Sequence, residues 1–248
     1  MNLGLSGRRA VVGGGSAGLG LASAKALAEE GAEVLIVGRD AERLESARAQ
    51  LGERVHCFVG DLSTREGARS VVGEAKRIFP TTDILIANVG GPPPGLAQSV
   101  DIDLLEQSID RCLLAMVELC NGLLPGMVEQ RWGRVLAITS TGVRQPLPAM
   151  VNSNAARAGL TGYLKTLARE VIGQGITVNS ILPGSQMTAR LESLIGERME
   201  GYIANHPAGR AGEPEDFGKI ATFLCSEPAN YLTGVALSVD GGADSSLI

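Results

Sequence analysis

Seven short runs of apolar, largely β-branched residues recur along the chain, separated by segments of helical period, and this alternation restricts the fold more than any other feature. The runs are 10–12 (Ala-Val-Val), 34–37 (Val-Leu-Ile-Val), 55–59 (Val-His-Cys-Phe-Val), 84–87 (Ile-Leu-Ile-Ala), 135–138 (Val-Leu-Ala-Ile), 176–178 (Ile-Thr-Val) and 235–239 (Val-Ala-Leu-Ser-Val). They read as apolar through and through, which predicts parallel strands covered on both faces. Parallel neighbours need crossover connections, and the intervening segments supply them as helices. Leu105, Ile109, Cys112, Met116, Cys120, Leu123 and Met127 fall three and four apart, as do Ala156, Leu160, Leu164, Leu167 and Val171. Gly31 and Gly52 stand where C-terminal caps are expected, and Pro80 halts a third helix. No linker, low-complexity stretch or charge block divides residues 1–248. The expectation is one α/β domain, a doubly wound parallel sheet of about seven strands with helices on both faces, in the Rossmann manner. Its ligand belongs beyond the carboxyl ends of the strands, where the strand order reverses.

Composition narrows the function. The chain carries 33 glycines but only four Phe, three Tyr and one Trp, so it is poorly equipped to stack bases or sugars. A formal charge of −5 argues against wrapping nucleic acid or binding an anionic membrane. Cys57, Cys112, Cys120 and Cys225 show no C-x-x-C spacing and read as free apolar core thiols of a reducing compartment. With His56 and His206 the only histidines, a His-rich metal centre is excluded, and no metal is expected. The opening residues do not read as a secretory leader. No apolar stretch is expected to reach the roughly 18–20 residues that span a bilayer, so the location expected is the cytoplasm.

After the first run comes Gly13-Gly14-Gly15-Ser16-Ala17-Gly18-Leu19-Gly20, followed by a helical pattern. Gly13, Gly15 and Gly18 satisfy G-x-G-x-x-G, while Gly14, Gly18 and Gly20 satisfy G-x-x-x-G-x-G. Either register removes side chains where a diphosphate must approach the backbone and places it at a helix N-terminus. Lying between a first strand and a first helix, the loop points to a dinucleotide. The second strand ends Val37-Gly38-Arg39-Asp40. A carboxylate at the tip would accept ribose hydroxyls, but position 38 is glycine and Arg39 offers a guanidinium suited to a 2′-phosphate. Asp40 is expected to cap the helix that follows. NADP(H) is therefore favoured over NAD(H).

Further segments carry a resemblance. Asp61-Leu62 resembles an adenine-pocket segment, Ala87-Asn88-Val89-Gly90 an N-N-A-G segment, and Pro183-Gly184-Ser185-Gln186-Met187-Thr188 a P-G-x-x-x-T strap. Pro207 to Asp216, Tyr231-Leu232-Thr233-Gly234 and Val239-Asp240-Gly241-Gly242 resemble a closing region. Together with the glycine loop, these resemble the short-chain dehydrogenase/reductase family over essentially the whole chain, and bacterial 3-oxoacyl-carrier-protein reductases in particular. The resemblance implies cofactor contacts from Gly14, Ser16, Gly18, Leu19, Gly20, Arg39, Asp61, Leu62, Asn88, Gly90, Pro183, Gly184 and Thr188. It also implies a substrate lid over residues 185–206 and assembly as a dimer or dihedral tetramer through the long helices and the last strand.

The family's Asn-Ser-Tyr-Lys tetrad is matched only at Ser140. Thirteen residues on, the Y-x-x-x-K position reads Ser153-Asn154-Ala155-Ala156-Arg157, and the Asn position falls on Cys112. Ser153 and Arg157, one turn apart on a helix, share a face. Arg157 is suited to grip the nicotinamide ribose but not to exchange protons. Ser153 is a far weaker acid than a phenol, and Tyr163 lies over two turns further along. A water held by Ser140 and Ser153, or His206, is left as proton donor. The expected catalytic set is Ser140, Ser153 and Arg157, in an NADP(H)-dependent reductase of a small carbonyl-type molecule. The alternatives are a catalytically impaired NADP(H)-binding protein, acting as a sensor or an inactive oligomer partner, and a scaffold without cofactor. The Gly90–Gly95 segment, with Pro92, Pro93 and Pro94, is expected to stiffen the cleft rim.

Overall fold

In the computed structural model, which describes residues 1–247, the chain alternates strand and helix as the apolar runs require. Strands β1 (Arg9–Gly13), β2 (Glu33–Gly38) and β3 (Val55–Val59) are linked by helices α1 (Gly18–Glu29) and α2 (Ala41–Leu51). Helix α3 (Arg65–Ile78) leads to β4 (Ile84–Ala87). Next comes a long helix made of α4 (Ile102–Ile109), a π-helical turn over Asp110–Leu114, and α5 (Ala115–Glu129), then β5 (Gly133–Ile138). Helix α6 (Val151–Val171) precedes β6 (Ile176–Pro183), and short helices α7 (Ala189–Ile195) and α8 (Met199–Ala204) come before α9 (Pro214–Leu224) and β7 (Ala236–Val239). All strands are parallel, in the order β3-β2-β1-β4-β5-β6-β7. The order reverses between β1 and β4, which places the ligand-binding crevice there.

Alternate residues of each central strand serve the two layers. Val11, Leu35, Leu85 and Val135 face a core shared with α3, α5 and α6, through Val71, Met116, Leu119 and Leu164. Their neighbours Val12, Ile36, Ile86 and Leu136 face Ala24, Leu27, Leu44 and Phe217 of α1, α2 and α9. Coverage on both faces thus holds for the central strands. It fails at the edges, where Val59 and Leu237 are exposed and β3 and β7 are only partly covered.

Three other expectations need correction. Residues 102–129 form a helix long and apolar enough, over an 18-residue window, to cross a membrane by length and composition. In the fold it is a core helix, with Cys112, Met116, Leu119, Cys120, Leu123 and Met127 buried, although Leu105 and Ile109 are only half-buried. Cys112, Cys120 and Cys225 are buried thiols, but Cys57 lies half-exposed on edge strand β3, where one face lacks a covering layer. The long helix is also not regular: the Ala115 N–H donates to the Asp110 carbonyl five residues back, widening the turn around Cys112.

Candidate active site

The ends of β1, β2, β4, β5 and β6 open into a cleft of about 690 Å³, a size suited to a cofactor and a small ligand. At its floor the glycine loop has two left-handed positions, Gly14 (φ +60°) and Gly18 (φ +54°), where a side chain would be strained. Both line the cleft with Ser16 and Leu19. Gly20 does not. A Cβ there would lie 2.2 Å from the Gly14 carbonyl oxygen, so the missing side chain at Gly20 lets helix α1 pack onto the loop. Gly13 and Gly15 are just as tightly packed, against Asn88 and Ile36, so both glycine registers are required by packing. Ala17 gives α1 no side-chain cap, whereas Asp40, Thr64, Asp101 and Thr188 each cap their helix with a side-chain oxygen. The first N–H groups of α1 are thereby left for an anion, which is what a dinucleotide diphosphate requires.

Arg39 stands exposed at the tip of β2. The Asp40 carboxylate turns away, accepting from the Arg43 N–H at 3.1 Å as the expected helix cap. Asp61 and Leu62 line the neighbouring wall. Burial opposes ionisation of Asp61, but hydrogen bonds from the Ser63 N–H and hydroxyl and the nearby Arg39 and Arg111 leave its carboxyl below the ordinary range. The Asn88 amide donates to the Gly13 carbonyl oxygen at 3.0 Å, fastening the end of β4 to that of β1, and Gly90 follows it along the cleft.

At the other end, Ser140 stands two residues beyond β5, its Oγ accepting from the Gly142 N–H at 3.1 Å. Ser153 and Arg157 reach the same space from α6 and are both buried. Nη1 of Arg157 donates to the carbonyl oxygens of Ile138 (2.9 Å) and Thr139 (2.7 Å), and Nε is buried without a partner. Part of the guanidinium is therefore spent on the strand end. Burial lowers the pKa of Arg157 from its usual value. Ala149, just before α6, is held in the left-handed region (φ +55°), its carbonyl accepting from the Gly95 N–H at 2.8 Å. The rim therefore reaches α6 through Gly95, while Gly90 and Gly91, not the prolines, line the cleft. Cys112 is buried nearby, and burial pushes its thiol up against the pull of Arg157, Arg111 and Arg190. Tyr163 does not line the cleft; it packs toward Cys120, and burial raises its phenol.

Pro183 and Gly184 line the cleft from the end of β6, where a Cβ on Gly184 would lie 2.6 Å from that of Asp240. Thr188 caps α7 and sits against Gly18. Over residues 185–206, α7 and α8 cover the cleft with Leu191, Leu194, Tyr202 and His206. Among the lining residues that the sequence motifs do not point to are Arg111, Arg190 and Tyr202. Tyr202 Oη, on α8, lies 2.7 Å from Ser185 Oγ, and no motif in the sequence marks it. Nδ1 of His206 accepts from the Ala208 N–H at 3.2 Å, which leaves the proton of a neutral ring on Nε2.

Comparison with known proteins agrees with this geometry. The family model described as enoyl-(acyl carrier protein) reductase matches residues 14–244. The chain belongs to this family of short-chain dehydrogenase/reductase oxidoreductases. Among individual relatives, it is 33% identical to the 3-oxoacyl-acyl-carrier-protein reductase of Haemophilus influenzae over 238 residues, covering 96% of this chain and 98% of that one. It is likewise 33% identical to nodulation protein G of a Rhizobium species, covering 96% and 97%. L-sorbose reductase of Gluconobacter frateurii, solved in complex with NADPH and L-sorbose, superposes over the full length of both chains with a TM-score of 0.93 and 34% identity.

Proposed function

We propose that this chain is an NADP(H)-dependent reductase of a small carbonyl compound, working without the phenol and ammonium usual in its family. The observation that carries the reading is the single cleft that joins an uncapped glycine-loop helix and unpaired Arg39 at one end to Ser140, Ser153 and Arg157 at the other. Gly14, Ser16, Gly18 and Leu19 would hold the diphosphate, Arg39 the 2′-phosphate, and Asp61 and Leu62 the adenine. Asn88, Gly90, Pro183, Gly184 and Thr188 would shape the nicotinamide end. Bound there, NADPH supplies a hydride.

The residues of the chain supply the rest. Ser140 donates its hydroxyl to the carbonyl oxygen of the substrate and orients it. Ser153, buried one turn from Arg157, holds a water against the same oxygen, and that water delivers the proton. Solvent entering the cleft replenishes that proton, and His206 lines the same space from the lid. Arg157 fixes the end of β5 and so the position of Ser140, and turns its remaining N–H groups toward the ribose. Positioned acid–base groups contribute about 10²- to 10⁴-fold, so a weaker donor slows the reaction while orientation in the cleft still accelerates it. The reaction is carbonyl plus hydride plus proton to alcohol. The test is NADPH oxidation across a panel of ketones and aldehydes. Turnover with at least one, lost in Ser140→Ala, supports the reading; tight NADPH binding with no hydride transfer to any of them replaces it with a binding protein.

A further inference from the structure

The cleft is unusually cationic for a chain of net charge −5. Four arginines line it, Arg39, Arg111, Arg157 and Arg190, against two aspartates, Asp61 and Asp244. None of the four forms an ion pair with a carboxylate among the described residues, whereas most surface arginines of helices α2 and α3 do. Arg39 has a use at the 2′-phosphate end. Arg157 and Arg190 stand at the opposite end, where Arg157 holds the carbonyls before Ser140 and Arg190 crosses the rim at Gly91, while Arg111 in the π-helical turn also lies near Asp61.

Arg157 and Arg190 approach that end from different elements. Arg157 comes from α6 and is buried with an unpartnered Nε. Arg190 stands in the first turn of α7, in the lid, and reaches over the rim. Its guanidinium lies where a Cβ on Gly91 would be, 2.7 Å from Nη2, and Nη2 contacts the Pro92 carbonyl oxygen at 3.5 Å. That contact is at the long limit of a hydrogen bond and leaves the fork free. Two like charges facing one cavity repel each other, and a buried cation without a counter-charge is costly. An anion between them removes both penalties, and a guanidinium fork matches a carboxylate in geometry.

We propose that the substrate of this enzyme is an oxo acid, its carboxylate held by the free fork of Arg190 on the lid and facing the positive wall at Arg157, while its carbonyl lies at Ser140. This rests on the reductase reading and names its substrate class. Binding the anion also ties the lid to the wall, so an acidic substrate closes the cleft over itself and a neutral one does not.

The test uses benzoylformate and its methyl ester, added to the full-length protein saturated with NADP⁺ and followed by calorimetry. Because no hydride is transferred, failure of the reductase reading does not obscure the result. Benzoylformate is expected to bind at least about tenfold more tightly than the ester, to weaken by about tenfold or more in Arg190→Gln, and to weaken in 0.5 M NaCl. The affinity of Arg190→Gln for NADP⁺ alone is expected to stay within about twofold of the parent. Equal binding of acid and ester, or binding of neither, overturns the proposal. Loss of NADP⁺ affinity in Arg190→Gln also overturns it, since the guanidinium would then serve the phosphates of the cofactor. With NADPH, turnover of the acid and not the ester supports both readings, while binding of the acid without turnover keeps the anion site and leaves the reductase reading to the panel of ketones and aldehydes.

Discussion

Arg157 Nη1 lies 2.7 Å from the carbonyl oxygen of Thr139, joining α6 to the end of β5 immediately before Ser140. A second bond from the same nitrogen, to Ile138, leaves this arginine holding the two carbonyls that set where the serine stands. Arg157 is thus a positioning residue as well as a cleft cation. Arg157→Ala is expected to lower unfolding free energy by about 1.5–3 kcal/mol, the worth of hydrogen bonds to a charged group. Urea denaturation followed by circular dichroism measures it, and an unchanged midpoint would show that the strand end does not depend on this contact.

The glycine loop makes a separate demand. Gly20→Ala places a methyl carbon 2.2 Å from the Gly14 carbonyl oxygen, so either the loop or helix α1 must shift. Overpacking of this kind costs about 1–3 kcal/mol. The loss is expected in cofactor affinity, as a weakening of NADPH binding by about tenfold or more. Affinity equal to the parent would mean that the loop tolerates the shift.

Restoring the family's side chains tests the account of the proton. Ser153 and Arg157 share one face of α6 and both line the cleft. The double variant Ser153→Tyr with Arg157→Lys is expected to raise kcat on a reducible substrate by about 10²-fold or more. It is also expected to shift the pH optimum toward the titration of the new phenol. A rate no higher than that of the parent would mean that another group already supplies the proton efficiently.

How far the site could be read from the chain differs by residue. The central strands were legible because both faces are buried, which leaves uninterrupted apolar runs. The edges were not, since β3 and β7 carry apolar residues such as Val59 and Leu237 that no layer covers. Asp40 was legible as a cap because its chemistry is local. The packing role of Gly20 is not legible, because a glycine that lets a ligand approach and one that lets a helix approach look alike in sequence. Arg190 is not legible because its place depends on how the lid folds over the rim at Pro92, a relationship between segments 98 residues apart.

The uncovered edge has a consequence for assembly. Tyr231, Leu232, Val235 and Leu237 form an exposed apolar strip beside β7, and Leu105 and Ile109 leave part of the long helix half-covered. Apolar strips of this kind mark interfaces. Light scattering coupled to size exclusion is expected to give a mass at least twice the 25.7 kDa of one chain, with a tetramer the form implied by dihedral symmetry. A single species at the monomer mass would mean that the strip stays in water.

The central claim is that a phosphorylated nicotinamide dinucleotide occupies the cleft, with its 2′-phosphate at Arg39. Calorimetric titration of the purified protein with NADPH and with NADH tests it most directly. One site per chain is expected, with NADH weaker by about tenfold or more and with Arg39→Ala abolishing most of the difference, as expected for loss of one charge-assisted contact. Equal affinity for the two dinucleotides would contradict the role of Arg39, and no saturable heat with either would contradict the account as a whole.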